Sequence, residues 1–160
     1  MNPRVGFGYD IHRLEAGRRL VIGGTEIPWT KGCTGHSDGD PLLHAICDAM
    51  LGAAGAGDIG THFPDNADEF KNIDSRILLS KTVDIIAAAG YRFVQADTTV
   101  CLEKPKIASY IPAMVKQIAA TLRVKEGQIS VKAKTGERIG FVGREEGVAA
   151  YAVVLLEKIN

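Results

Sequence analysis

Cysteine is scarce in these 160 residues: there are three, Cys33, Cys47 and Cys101, an odd number with no C-x-x-C spacing. That excludes a disulfide framework and a zinc knuckle, and predicts three reduced thiols in a reducing compartment. Net charge is absent too. Nineteen Lys and Arg balance nineteen Asp and Glu, so no chain-wide field draws nucleic acid or an anionic membrane. Any anion site must be local. The longest apolar run, Val148 to Leu156, falls far short of the ~20 residues a membrane-spanning helix needs. Residues Met1 to Phe7 lack the basic and then apolar order of a secretory leader, so the expected location is the cytoplasm. Repeats, low-complexity tracts and linkers are missing, which leaves one domain over residues 1–160 as the expectation.

What is present is 46% hydrophobic residues, enough for one sizeable core. Arg4 to His12 is rich in Val, Phe, Tyr and Ile with interleaved Gly, which predicts a strand approached closely by another element. Leu20 to Pro28 carries β-branched residues around Gly23-Gly24, the signal for a peripheral hairpin. Trp29 to Ser37 has no period and is expected as a loop. Asp40-Pro41 is a helix start followed by Leu42, Leu43, Ile46, Met50 and Leu51, with Gly52 and Gly55-Ala56-Gly57 as its stop. Asp74-Ser75 caps a second helix that runs to Gly90. Tyr91 to Leu102 reads as strand, Tyr110 to Leu122 as helix, and Ile129 to Lys134 and Val148 to Leu156 as strands, the last one central. This order puts helices on one face of a mixed sheet, a two-layer α+β domain.

Asp10 and His12 are two apart on a strand, so both side chains reach one face and suit a divalent metal. Alone, the pair is weak evidence, and an idle surface pair is the more ordinary reading. Gly35 to His44 packs His36, Ser37, Asp38, Asp40 and His44 around a helix N-terminus. His44 is either an amphipathic core histidine or a third ligand. In the second case Asp48, four residues on, is placed to accept its other N–H. Three protein ligands with an open position are the pattern of a catalytic zinc. The helix N-terminus adds attraction for a phosphate, although Ser37, Asp38 and Asp40 also fit plain capping. Asp58-Ile59-Gly60 with Phe63-Pro64-Asp65 is a binding loop or a tight turn, and His62 there is expected to be solvated. Lys132 to Arg138 mixes cations, a hydroxyl and Glu137, a set that fits a diphosphate with a hard cation or a charged hairpin tip. Gly140 to Gly147, with Phe141 and Arg144, fits a turn or a subunit contact.

Together, Gly8-Tyr9-Asp10-Ile11-His12, Ile22-Gly23-Gly24, Ile27-Pro28, His36-Ser37-Asp38-Gly39-Asp40 with His44 and Asp48, Gly57-Asp58-Ile59-Gly60, Phe63-Pro64-Asp65, Asp74-Ser75, Pro105-Lys106, Lys132-Ala133 and Gly140-Phe141 with Gly143-Arg144 resemble the 2-C-methyl-D-erythritol 2,4-cyclodiphosphate synthase family. The match runs in order over nearly the whole chain. It implies a ferredoxin-like α+β subunit in a homotrimer with active sites between subunits, on the non-mevalonate route to isoprenoids. It implies zinc on Asp10, His12 and His44, and Mg²⁺ or Mn²⁺ on Glu137. It places His36, Ser37, Asp58, Ile59, Gly60, Phe63 and Asp65 around the erythritol and its phosphates. Pro105, Lys106, Ala108, Ala133, Lys134 and Thr135 match the cytidine diphosphate pocket, with catalytic weight implied for His36, Asp58, Lys134 and Thr135. Phe141 and Arg144 match the wall of a central cavity for an isoprenoid diphosphate. Two departures stand out: Lys134-Thr135 where many relatives carry Thr-Thr, and Glu145 where they carry Gly.

The implied activity is conversion of 4-diphosphocytidyl-2-C-methyl-D-erythritol 2-phosphate to the cyclic diphosphate and CMP, a phosphorus–oxygen lyase reaction. Two rivals fit the same residues: a zinc-dependent phosphoesterase, in which the open metal position activates water, and a trimeric cytidine-nucleotide-binding regulator.

Overall fold

The computed structural model describes residues 2–159. Five strands form a mixed sheet in the order β4-β1-β7-β5-β6: β4 Lys31–Cys33, β1 Pro3–Ala16, β7 Gly147–Lys158, β5 Tyr91–Cys101 and β6 Ile129–Lys134. All neighbours are antiparallel except β5 and β6, which are parallel and joined through helix α4, Ile111–Leu122. β7 is central, as its unbroken apolar run predicts. β2 Leu20–Ile22 and β3 Thr25–Ile27 make the separate hairpin. Helices α1 Pro41–Ala54, α3 Ser75–Ala88 and α4 pack on one face. The short turns α2 Ile59–His62 and α5 Gly140–Gly143 complete the order. This is the expected α+β arrangement, and among the described residues no helix is long and apolar enough to cross a membrane.

β1 explains how α1 comes so near the sheet. Its even-numbered residues Gly6, Gly8, Asp10, His12 and Leu14 face the helices, and Val5, Phe7, Tyr9 and Ile11 face the other way. A Cβ on Gly6 or Gly8 would lie 1.8 Å from the Ala49 carbonyl oxygen or 1.9 Å from that of Ala45. Ala45, Ala49 and Ala53, at helical spacing and buried, present the small side of α1 to these glycines. Strand and helix therefore touch through backbone, the close approach the glycines predict.

The opposite sheet face has no cover. Val5 is 71% and Phe7 64% exposed, and Tyr9, Ile11, Tyr151 and Val153 are exposed beside them. The Tyr151 ring lies 5.2 Å from Tyr9 and 6.5 Å from Phe7 between centroids, so the patch is continuous.

Three expectations are corrected. Trp29 to Ser37 is not all loop: Lys31–Cys33 pairs with Leu14–Ala16, using the extension of β1 past His12. Gly52 lies inside α1, which ends at Ala54 with Gly55 at φ 71 as its left-handed cap. His62 is half-buried and its Nε2 is 2.7 Å from the Ala56 carbonyl, because α2 folds back onto the end of α1. Cys33 and Cys47 are buried, Cys101 is half-buried, and all three are free. Burial raises the Cys47 thiol to about 12, consistent with an inert core residue.

Candidate active site

Asp40 fixes the start of α1, and through it the position of His44. It is fully buried and accepts from Leu42 N and Leu43 N at 3.1 Å, from Gly23 N at 2.9 Å and from Gly24 N at 2.7 Å. One carboxylate thus caps the helix and pins the hairpin turn to it. Burial raises the Asp40 carboxyl to about 6, against the lowering effect of the Gly24 and Leu43 hydrogen bonds.

One turn into α1, His44 meets β1. Its Nδ1 is 3.2 Å from Asp10 Oδ2, and the same oxygen is 3.5 Å from His12 Nε2. One donor atom from each of Asp10, His12 and His44 lies within 4.8 Å of the others. His12 Nδ1 donates to the Ile11 carbonyl at 2.7 Å, which leaves Nε2 as a lone pair, buried and without a hydrogen-bond partner. A buried orphan nitrogen beside a carboxylate oxygen and a second imidazole nitrogen is a donor set for a borderline cation, and it fits Zn²⁺. Burial opposes protonation of His44, but in the protonated ring Nδ1–H donates to Asp10, and that bond with the Asp10 charge outweighs burial and raises the imidazole.

The far side of the His44 ring differs from the expectation. Asp48 does not hold it: its Oδ1 accepts from Ile59 N at 2.7 Å and anchors α2. Nε2 instead lies 2.9 Å from Ser75 Oγ and 3.1 Å from Ser37 Oγ. Asp38 accepts from Ser75 N at 3.0 Å and from the Ser75 hydroxyl. Of the three polar residues before α1, Asp40 does the capping while Ser37 and Asp38 face His44 and its partner.

The triad opens onto a cavity of about 490 Å³ whose lining includes His36, Ser37, Ile59, Gly60, Phe63 and Asp65. His36 Nε2 donates to the Ala67 carbonyl at 3.0 Å, turning Nδ1 toward other partners. Phe63 packs edge-on against Phe70 at 5.5 Å. Asp58 caps α2, accepting from Thr61 N at 2.9 Å and Thr61 Oγ1 at 2.7 Å, and lies outside that lining.

Lys106, Thr135 and Glu137 line a second concavity of about 700 Å³, with Glu103, Lys104, Arg138, Gly143 and Glu145. Thr135 Oγ1 donates to Glu137 at 2.8 Å, and Glu103 accepts from Gly136 N at 2.8 Å. Pro105 follows a cis peptide bond, Ala108 opens a 3₁₀ turn, Ala133 is half-buried on β6, and Lys134 is exposed. Phe141 sits on α5, and Arg144 pairs with Glu146 at 2.9 Å. Glu145, at φ 58, reaches toward Lys104 at 3.5 Å and Lys31 at 3.9 Å.

The two cavities share no residue. The first opens beside His12 on β1, and the second lies beyond the ends of β5 and β6 and reaches through Glu145 to Lys31 of β4.

Comparison with known proteins agrees with the geometry. The profile of the YgbB family matches residues 3–157. A 2-C-methyl-D-erythritol 2,4-cyclodiphosphate synthase from Bacteroides thetaiotaomicron is 55% identical over 158 residues, 99% of each chain. The bifunctional IspDF of Campylobacter jejuni superposes with a TM-score of 0.95 at 40% identity, over 99% of this chain and 43% of that one. An IspF from Plasmodium falciparum, solved as a CDP complex, gives a TM-score of 0.86 at 36% identity over 99% and 98% of the two chains. With an Asp-His-His donor set on the helix-facing side of its first strand, and with these relatives along its whole length, the chain belongs to the YgbB family of 2-C-methyl-D-erythritol 2,4-cyclodiphosphate synthases.

Proposed function

We propose that this chain converts 4-diphosphocytidyl-2-C-methyl-D-erythritol 2-phosphate into 2-C-methyl-D-erythritol 2,4-cyclodiphosphate and CMP, as a phosphorus–oxygen lyase of the cytoplasmic non-mevalonate route. The observation that carries it is the pair of separate half-sites: a metal-donor triad over one cavity, and a second concavity that sets Lys104, Lys106 and Arg138 among Glu103, Glu137 and Glu145. In one chain they share no residue, and a substrate with a sugar phosphate at one end and a cytidine diphosphate at the other would take the triad of one copy with the second concavity of the next. The uncovered apolar face of β1 and β7 supports a closed homotrimer that brings them together. Residues 1–160 act there as one domain.

A 2-phosphate oxygen forms a bond to the β-phosphorus, and the bond from that phosphorus to the oxygen bridging toward the α-phosphorus breaks. CMP leaves with that oxygen. Attacker and target are both anionic, so the barrier is largely charge repulsion and alignment. Zn²⁺ held by Asp10, His12 and His44 supplies Lewis-acid neutralisation of phosphate charge. Glu137 offers a single exposed carboxylate beside Thr135, which suits Mg²⁺ or Mn²⁺, cations that complete their shells with phosphate oxygens and water. His36 and Ser37 orient the erythritol phosphate and Asp65 accepts from the erythritol hydroxyls, while Ile59, Gly60 and Phe63 wall the sugar from solvent and Asp58 holds their loop by capping α2. Lys106, Lys134 and Thr135 hold the diphosphate, with Pro105, Ala108 and Ala133 framing the cytidine. Holding the flexible chain in a near-attack geometry is worth up to ~7–11 kcal/mol. Phe141 and Arg144, at α5 near the start of β7, face the proposed threefold axis and an isoprenoid diphosphate there.

Mixing tests this. His44→Ala and Glu137→Gln each disable one half-site, so each alone is expected to release almost no CMP. After subunit exchange at equal amounts, one interface in four combines two intact halves, and about one quarter of wild-type CMP release returns. No recovery despite demonstrated exchange overturns the shared site. Phosphorus NMR separates the rivals: inorganic phosphate marks a phosphoesterase, and wild-type protein that binds CDP without forming CMP marks a regulator.

A further inference from the structure

We propose that Asp38 and Ser75 are positioning residues that fix the tautomer of His44, so that Nδ1 is presented as a lone pair to the metal site. The inference rests on the metal-binding part of the function above and not on the reaction itself. Ser75 is fully buried at the first position of α3, where Asp74 already caps the helix. Its hydroxyl is therefore not needed as a cap, and it faces two partners: the Asp38 carboxylate and His44 Nε2 at 2.9 Å.

A hydroxyl has one proton, and an ionised carboxylate only accepts. The Ser75 proton goes to Asp38 Oδ1, which also takes Asp40 N–H at 3.3 Å, while Asp38 Oδ2 takes Ser75 N–H at 3.0 Å, so both carboxylate oxygens are used and Asp38→Asn gives up the Asp40 contact. Ser75 Oγ is then an acceptor toward His44, and Nε2 must carry the hydrogen. Ser37 Oγ, 3.1 Å from the same nitrogen, accepts alongside it and also takes Gly39 N–H at 3.2 Å, which leaves its own proton for the cavity. With hydrogen on Nε2, Nδ1 faces Asp10 Oδ2 at 3.2 Å as one acceptor opposite another. That arrangement calls for a cation between them.

Asp38→Asn reverses the polarity at nearly constant volume. The amide oxygen keeps Ser75 N–H, and the amide NH₂ now donates to Ser75 Oγ. The Ser75 proton turns toward His44 Nε2, and the ring hydrogen moves to Nδ1, toward Asp10.

The test uses the full chain, with Zn²⁺ alone as probe. Chelator competition is expected to show zinc bound about 10–100-fold more weakly by Asp38→Asn. Ser75→Ala, which deletes the hydroxyl, is expected to weaken it less, since Ser37 Oγ remains. Histidine ¹⁵N NMR of the metal-free protein, at a pH where the ring is neutral, is expected to find hydrogen on Nε2 of His44 in the wild type and on Nδ1 in Asp38→Asn. Wild-type zinc affinity in both variants, or an unchanged His44 tautomer in Asp38→Asn, overturns the proposal. Neither readout involves turnover, so an inactive wild-type enzyme would refute the cyclase function and leave this result intact.

Discussion

Gly8 is where a single methyl group should reach the metal site. A Cβ there sits 1.9 Å from the Ala45 carbonyl oxygen, while ordinary contact begins at 3.4 Å. The difference, 3.4 − 1.9, leaves 1.5 Å to be made up between β1 and α1. The Cβ is fixed by the strand backbone and the atom it meets is a helix carbonyl oxygen, so no side-chain rotation relieves the overlap. Overpacking of this kind costs about 1–3 kcal/mol. For a chain of this size that lowers Tm by about 2–12 °C. Asp10 lies two residues along β1 and His44 lies next to Ala45, so the same movement separates atoms now 3.2 Å apart. Metal sites tolerate about 0.2 Å, and Gly8→Ala is therefore expected to lose zinc as well as stability. Calorimetry at equal subunit concentration and zinc titration measure the two effects. A variant melting within about 1 °C of wild type, with unchanged zinc affinity, would refute the backbone-contact account.

On the exposed side of the same helix, Gly52 has nothing within 4 Å of its would-be Cβ. Gly52→Ala should stabilise by about 0.5–1 kcal/mol, seen as a higher urea midpoint with unchanged zinc content. Asp40 gives a pH signature. Its folded value of about 6 stands above the ordinary 3.8, so the folded state holds the proton more tightly and stability falls as pH rises from about 4 to about 6. Asp40→Asn should remove that slope relative to wild type. It should also cost about 1–3 kcal/mol at every pH, because an amide cannot accept from all four N–H groups. Urea titrations between pH 4 and 8 separate the two effects, and parallel wild-type and variant curves would refute the assignment. Val153→Asp places a charge in the bare apolar face and is expected to yield monomers by light scattering, with CMP release lost and the Asp10-His12-His44 zinc site retained.

Much of this was legible in the residues. The two-residue period brought Asp10 and His12 to one face, Asp40-Pro41 marked the start of α1, and the unbroken apolar run placed β7 at the centre. The glycines of β1 announced a close neighbour without naming it. Asp48 was misread because helical spacing puts it on the same face as His44, and only the tertiary path of α2 brings Ile59 N to its carboxylate instead. Asp38 and Ser75 escaped for the same reason: thirty-seven residues separate them, and each looks like an ordinary helix-start residue. β4 is three residues long, too short for any period, and forms because β1 continues past His12 to meet it. That the two half-sites share no residue follows from the tertiary arrangement, which no local pattern records.

The pairing of β1 with β7 has a consequence during synthesis. Gly147 follows Ala16 by 131 residues, so the earliest strand of the sheet waits for the last before its principal hydrogen-bonding edge is satisfied. At ribosomal speeds of about 5–20 residues per second, that wait is about 7–26 s. Throughout it, the backbone of Val5, Phe7, Tyr9 and Ile11 is paired with water, and the segment gains its strand partners only when β7 is made.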